Sequence, residues 1–372
     1  MLFAFVVVAT LVFVLSVLLS FVAGLQDSVK ASGAADNLVV LAPGATAEST
    51  SLILPEEVAR LTQVEGIRKD DSGAPLISSE IYVQTTRPRR GARGAMAHVG
   101  VRGVDPIAFQ VHRAVRVTEG QLFQPGSRQV IVGKAAAMRY EGLEIGQEIP
   151  LGRLGNRLFT VVGVFETGGS ALENEIWAPR TAMADAYERR LVSSVHVGVA
   201  AEHSAAEVMA RIAGPAVSLS ARTEEGYYAE LLVKTEEVVS LATFLVLVMS
   251  LGAVFAVANT MFAAVDGRKR EVAMLRTLGF GRFAVGFSFV TEAFLVCGAA
   301  AIVGLLASTL TSGAPRDFLS DSSWTAIAYE RRMTPMICVI AMGVSCAVGM
   351  LGALVPAMRA AQTNPTTALR RI

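Results

Sequence analysis

Four blocks without a charged residue punctuate the chain, at 1–26, 238–265, 293–315 and 333–358. Each exceeds the roughly 20 apolar residues that cross a hydrocarbon core of about 30 Å, so the pattern predicts four transmembrane helices. The third is extended back to Phe283, which places Glu292 inside it. The fourth begins at Pro335, a residue suited to the first helical position. The expected spans are therefore 1–26, 238–265, 283–310 and 335–358. They are separated by a large segment, 27–237, a short one, 266–282, and a loop, 311–334, and followed by a tail, 359–372. Within 27–237 two periodicities mix. Strand-like runs occur at Asn37–Leu41, Gln129–Val132, Leu158–Val164 and Ser194–Val199, and helical ones at Ala135–Tyr140 and Ala205–Ala213. The fold class that follows is a membrane protein of four α-helices with a large α+β extracytoplasmic domain inserted between the first two. From Glu224 to Glu237 there is no proline and no glycine beyond Gly226, so a helix is expected to run from that domain into the second span as a stalk, with a short helix and a flexible joint as the alternative.

Composition agrees: 52% of the 372 residues are hydrophobic and the mean hydropathy is +0.49. A net charge of +1 gives no reason to expect a nucleic-acid partner. Orientation follows the short loops. Arg268, Lys269, Arg270, Arg276 and Arg282 follow the second span, and Arg359, Arg370 and Arg371 follow the fourth, so both sites are expected in the cytoplasm. The segment 27–237 then lies outside, with 22 Lys and Arg against 26 Asp and Glu. The first block reads as an uncleaved anchor rather than a signal peptide, because it lacks a basic start and runs too long. The missing basic start raises the alternative of an amino terminus further upstream. Cys297, Cys338 and Cys346 all fall in predicted spans, which leaves the exported domain without disulfides. The loop "RPRRGARG", 87–94, carries four arginines and reads as solvated, with a contact to anionic lipid or an exported partner as the alternative.

The stretch "RKREVAMLRTLGFGR", 268–282, places Val272, Met274, Leu275 and Leu278 on one helical face and Lys269, Arg270, Arg276 and Thr277 on the other. Gly279 and Gly281 then end it. Two readings stand: a topology signal that also binds anionic lipid headgroups, or a docking element for a cytoplasmic partner. Two polar residues fall in spans, Asn259 and Glu292. Glu292 lies ten residues past Arg282, about 15 Å along a helix, so pairing near the interface and a packing role are favoured over proton transport. Gly252 with Ala256, and Ser345 with Gly349, have the spacing that allows close helix contact, in keeping with a second copy as partner.

The run "RKREVAMLRTLGFGRFAVGFSFVTEAFLV" resembles the cytoplasmic coupling helix and third span of the FtsX/MacB-type permeases of ATP-binding-cassette (ABC) systems, with Glu271, Leu275, Arg276, Gly279, Glu292 and Ala293 in the family's places. The ending "VPAMRAAQTNPTTALRRI" is similar to the family's closing motif through Pro356, Arg359, Ala360, Pro365, Ala368, Leu369 and Arg370. "VRGVDP", "RQVIVGKAAA", "GQEIPLG", "FTVVGVF" and "NEIWAP" resemble successive segments of the MacB-like periplasmic core domain, whereas 42–95 match least.

The resemblance implies a permease subunit in the bacterial cytoplasmic membrane that couples ATP hydrolysis on another subunit to movement of its periplasmic domain. Its coupling residues would be Arg268, Arg270, Glu271, Leu275, Arg276 and Gly279. Asn259, Gly252 and Glu292 would serve packing or transmission in the membrane. Expected partners are an ABC ATPase that holds ATP and Mg, a second permease copy or paralogue, membrane lipid, and a periplasmic adaptor with an outer-membrane channel. Export of a drug, peptide, lipid or glycolipid is favoured, with lipoprotein release or control of a cell-wall hydrolase as alternatives. The chain is not expected to be an enzyme: Gly133-Lys134 is followed by Ala135 and preceded by Arg128 where a phosphate-binding loop needs glycine. No metal site is expected either, since His98, His112, His196 and His203 are scattered without ligand spacing, and no G-x-S-x-G elbow occurs.

Overall fold

The computed structural model describes residues 1–34, 36–91, 94–231, 233–311, 315–319, 326–331 and 333–362. In chain order they form α1 (Leu2–Ser32), β1 (Asn37–Leu41), α2 (Pro55–Leu61), β2 (Ile77–Pro88), β3 (Met96–Val104), α3 (Ala108–Val111), β4 (Arg116–Gly120), β5 (Gln129–Gly133), α4 (Lys134–Arg139), β6 (Glu148–Leu151), β7 (Arg157–Glu166), β8 (Glu175–Pro179), α5 (Arg180–Ala186), β9 (Ser194–Gly198), α6 (Ala205–Ala213), β10 (Ser220–Thr223), α7 (Glu224–Leu231), α8 (Val233–Gly267), α9 (Lys269–Thr277), α10 (Arg282–Thr309), β11 (Pro315–Leu319), β12 (Ala326–Glu330) and α11 (Pro335–Ala361). They divide into two compact units, one of Met1–Gly24, Thr235–Ala314 and Glu330–Ile372, the other of Leu25–Lys234 and Pro315–Tyr329.

The first unit holds four helices long and apolar enough to cross a membrane, Leu2–Asp27, Val239–Gly267, Arg282–Thr309 and Pro335–Ala361. Pro335 does open α11, with the Thr334 hydroxyl accepting from the Ile337 N–H. Their shared core takes Val8, Leu11 and Val12 from α1, Val257 and Met261 from α8, Phe289, Ala293 and Cys297 from α10, and Ala341, Val348 and Ala353 from α11. Without a hydrophobic drive between helices in lipid, close approach at small residues carries much of the packing. Gly304 lets α10 meet α1 so closely that a β-carbon there would lie 2.6 Å from the Ala9 carbonyl oxygen. Gly349 meets Cys297, Gly352 meets Val257, and the Ser345 hydroxyl donates to the Cys297 carbonyl at 2.8 Å. The Ser345 and Gly349 pair therefore joins α11 to α10 of the same chain. A β-carbon at Gly252, by contrast, would meet nothing within 4 Å beyond its own helix backbone among the described residues, and Asn259 is exposed on α8.

The second unit is built on a ten-stranded mixed sheet in the order β10-β1-β9-β2-β3-β8-β5-β7-β4, with β6 on β7. Most pairs are antiparallel, while β3 with β8 and β5 with β7 are parallel. The long strand β2 bridges the two halves: Ile77–Glu80 pair with β9, and Ile81–Pro88 pair with β3. β1 and β10, the first and last strands before the spans resume, lie side by side, Leu38 opposite Thr223. Outward-alternating residues of the strands fill separate cores, one around Val130, Tyr140, Phe159 and Ile176 and one around Leu38, Val195, Val197 and Ile212. A third joins Val39, Phe165, Trp177, Tyr227 and Tyr228. α6 is closed at its start by reciprocal bonds between Ser204 and Glu207, each 3.2 Å.

Candidate functional site

Two places in the molecule carry unusual chemistry, one in each unit. In the first, α9 lies between the second and third spans. Its Val272 and Ala273 are buried, so only part of the apolar face expected from the sequence turns inward. Met274, Leu275, Leu278 and Phe280 remain 58%, 41%, 71% and 54% exposed. Arg270 and Glu271 are exposed and Arg276 is half-buried. Gly279, at φ +97°, reverses the chain. The Phe280 N–H donates to the Leu275 carbonyl and the Gly279 N–H to the Arg276 carbonyl, the paired closure that a left-handed glycine permits after a helix.

Arg268, just before α9, donates to Glu292 on α10 at 2.9 Å, with the two side chains 49% and 29% exposed. The expected neighbour of Glu292 was near at hand in sequence, at Arg282, but the partner that the fold supplies is Arg268, on the preceding loop. The pair ties the start of α9 to the third span. Pro356 is buried inside α11, where it removes one backbone donor, and the Arg359 guanidinium lies 5.0 Å from the centre of the Phe262 ring. Pro365, Leu369 and Arg370 lie outside the described residues, as do residues 92 and 93 of the arginine-rich loop.

The second place is a buried ionic cluster in the sheet domain. Arg102 of β3 donates through Nη1 to Glu48 Oε1 and Glu80 Oε2, and through Nε to Glu175 Oε2, each at 2.7 Å. Nη2 reaches Glu48 Oε2 at 2.9 Å and Glu175 Oε1 at 2.8 Å. His196 of β9 approaches Glu48 Oε1 at 3.1 Å and Glu80 Oε2 at 3.6 Å through Nε2. His112, at the end of α3, meets Glu80 Oε1 at 2.8 Å through Nε2. The two rings are 4.7 Å apart. On their far side both Nδ1 atoms face Glu224 Oε1, the first residue of α7, at 3.4 and 3.5 Å. Ser194, Ser78 and the Trp177 indole donate to Glu48, Glu80 and Glu175 respectively. All of these charged residues are buried.

Taking carboxylates out of water raises their pKa, and only strong partners reverse that. Burial would lift Glu48, but Arg102 and His196 outweigh it and hold the carboxyl well below its usual range. Glu80 is lowered against burial by His196, His112 and Arg102, and Glu224 is lowered to about 2 by the two histidines. Burial disfavours the charged form of His196, yet Glu80, Glu224 and Glu48 raise it to about 10. His112 is raised by Glu80 and Glu224 against burial. Without another cation, the positive charge set against the carboxylates is that of Arg102 and the two imidazoles.

The sequence conceals this cluster. His112 and His196 are far apart along the chain and meet because β9 pairs with β2 and α3 packs against both strands. The one local sign is polar residues at inward strand positions, Ser78 and Glu80 in β2 and His196 in β9, all fully buried.

The sequence matches two family models, the MacB-like periplasmic core domain over residues 2–214 and the FtsX-like permease C-terminal over 243–365. Among its relatives, the macrolide export ATP-binding/permease protein MacB 1 of Aeromonas hydrophila is 27% identical over 339 residues, 84% of this chain and 50% of that protein. The probable syringafactin export ATP-binding/permease protein SyfD of Pseudomonas syringae pv. tomato is 25% identical over 351 residues, 87% of this chain and 48% of that protein. The chain thus spans about half the length of the curated relatives it matches. The periplasmic region of MacB from Actinobacillus actinomycetemcomitans overlaps 54% of this chain and 94% of its own, at 9% identity and a TM-score of 0.38, and the family assignment rests on the sequence matches instead. With the core-domain match covering more than half of its length and the permease match most of the remainder, the chain belongs to the MacB- and FtsX-like permease family, as a multi-pass protein of the bacterial inner membrane with its mixed-sheet domain on the periplasmic side.

Proposed function

We propose that these residues are the permease part of an ABC transporter and work as a transmission, receiving motion from an ATPase in the cytoplasm and passing it to the periplasmic domain. The observation that carries the reading is α9: an exposed apolar strip of Met274, Leu275, Leu278 and Phe280 beside Arg270 and Arg276, fixed to the helices through Val272, Ala273 and the Arg268–Glu292 pair. Water does not favour such a strip on an isolated loop, whereas a partner protein with a complementary acidic-rimmed groove does. The relatives' names join ATP-binding and permease functions in proteins about twice as long, which supports an ATPase with its ATP and Mg outside these 372 residues. The same names, which speak of macrolide and syringafactin export, favour export of a drug, peptide, lipid or glycolipid over lipoprotein release or hydrolase control. On the membrane face, the uncovered Gly252 on α8 supports packing against a second permease copy.

The test is affinity purification of the tagged protein from its native membranes with ATP trapped, followed by mass spectrometry, in parallel with a Leu275→Asp/Arg276→Glu variant. A P-loop ATPase is expected with the parent protein and not with the variant, whose periplasmic domain stays folded. An ATPase that binds the variant equally well would remove α9 as the docking element.

A further inference from the structure

The ionic cluster has a charge that its own fixed cations do not match. Glu48, Glu80, Glu175 and Glu224 are four carboxylates, Arg102 is one guanidinium, and all are buried. Three negative charges therefore remain for two imidazoles and whatever else enters. Buried charge of this kind is tolerated only when it is paired or bound to metal. The donor atoms of Glu80, His112 and His196 all lie within 4.8 Å of one another. In a tetrahedral site with bonds of about 2.0–2.1 Å, ligand atoms stand roughly 3.3 Å apart, so small side-chain rotations close the set. A second feature stands beside that proximity: on the far side of both rings, buried Glu224 Oε1 faces the two Nδ1 atoms at 3.4 and 3.5 Å.

We infer that the cluster is a binding site for one divalent cation of the zinc class, ligated by Glu80 and by Nε2 of His112 and His196. Imidazole and carboxylate donors suit that class of ion. Both Nε2 atoms already face the two oxygens of Glu80, at 2.8 and 3.6 Å. With them on the metal, each Nδ1 carries a proton and points at Glu224 Oε1, at 3.4 and 3.5 Å. That is the arrangement in which a carboxylate behind the histidines fixes their tautomer and orientation. Arg102 stays on Glu48 and Glu175. The ion displaces imidazolium protons on entry and leaves the cluster near the same total charge. Its position joins β2, α3 and β9 to the first residue of α7, so it would act as a staple within the periplasmic domain rather than as a catalytic centre.

Because the donors are buried, the ion is expected to enter as the chain folds. The full chain, carrying a tag without histidine, is to be expressed in zinc-supplemented medium, purified in detergent, washed with chelator and analysed for metal by mass spectrometry. About one zinc per chain is expected, with none in a His112→Gln/His196→Gln variant. X-ray absorption at the zinc edge of the parent protein is the second reading, and two imidazole ligands are expected there whether or not the variant folds. A zinc-free parent protein, zinc retained in a folded variant, or a bound zinc without imidazole ligands would each overturn the assignment.

Discussion

Arg102 donates from all three of its guanidinium nitrogens while only 1% of its side chain is exposed. Removing one member of such a network leaves the others charged and unpaired, which costs more than the network contributes when whole. Arg102→Met is therefore expected to destabilise the periplasmic domain by about 3–5 kcal/mol. The check is a denaturant titration of the full chain in detergent, followed by tryptophan fluorescence, since Trp177 donates to Glu175 beside the cluster. An unchanged midpoint would mean that the cluster bears no structural load. Legibility was uneven at this scale. Gly279 and Pro335 could be assigned because each answers a local backbone demand, a left-handed turn and a helix start. Glu80, Arg102, His112 and His196 could not, because their significance comes from strand pairing between distant segments.

At the scale of elements, the pairing of Arg268 with Glu292 couples the loop helix α9 to α10. If that link helps to pass motion to the membrane, the single reversals Arg268→Glu and Glu292→Arg each reduce substrate-stimulated ATP hydrolysis by the purified complex, and the double reversal restores it. Failure of the double variant to recover would show that the two residues act separately. Surface pairs of this kind contribute little to stability, so unfolding midpoints should hardly move. The long apolar runs announced the spans, and short strand-like runs announced β1, β5, β7 and β9. β2 was not announced, because Ser78 and Glu80 sit buried where apolar residues would complete its alternation. The same polar positions that build the cluster hide the strand that carries it. The apolar face of α9 also divided in a way that a helical wheel cannot foresee: a wheel gives angles, not which part of an apolar arc the neighbouring helices cover.

For the whole molecule, topology was readable from charge and hydropathy, since lipid imposes the strongest constraint that any segment of the chain meets. Cysteine placement adds a further consequence. Cys297, Cys338 and Cys346 lie on α10 and α11 and are free, and residues 27–237 contain none. The periplasmic domain must therefore hold itself together without disulfides. Its unfolding midpoint is expected to be the same with and without a reducing agent, and a shift on reduction would contradict that account. The adjacency of β1 and β10 has another implication. The chain enters the domain on one strand and leaves it on the neighbouring one, with Leu38 beside Thr223, so its two leads stand about one strand spacing, ~4.8 Å, apart. Such a body is a cassette. It can be lengthened, exchanged or reduced to a tight turn without re-routing a span, so the head that meets the periplasm and the helices that meet the cytoplasm are free to diversify on separate schedules.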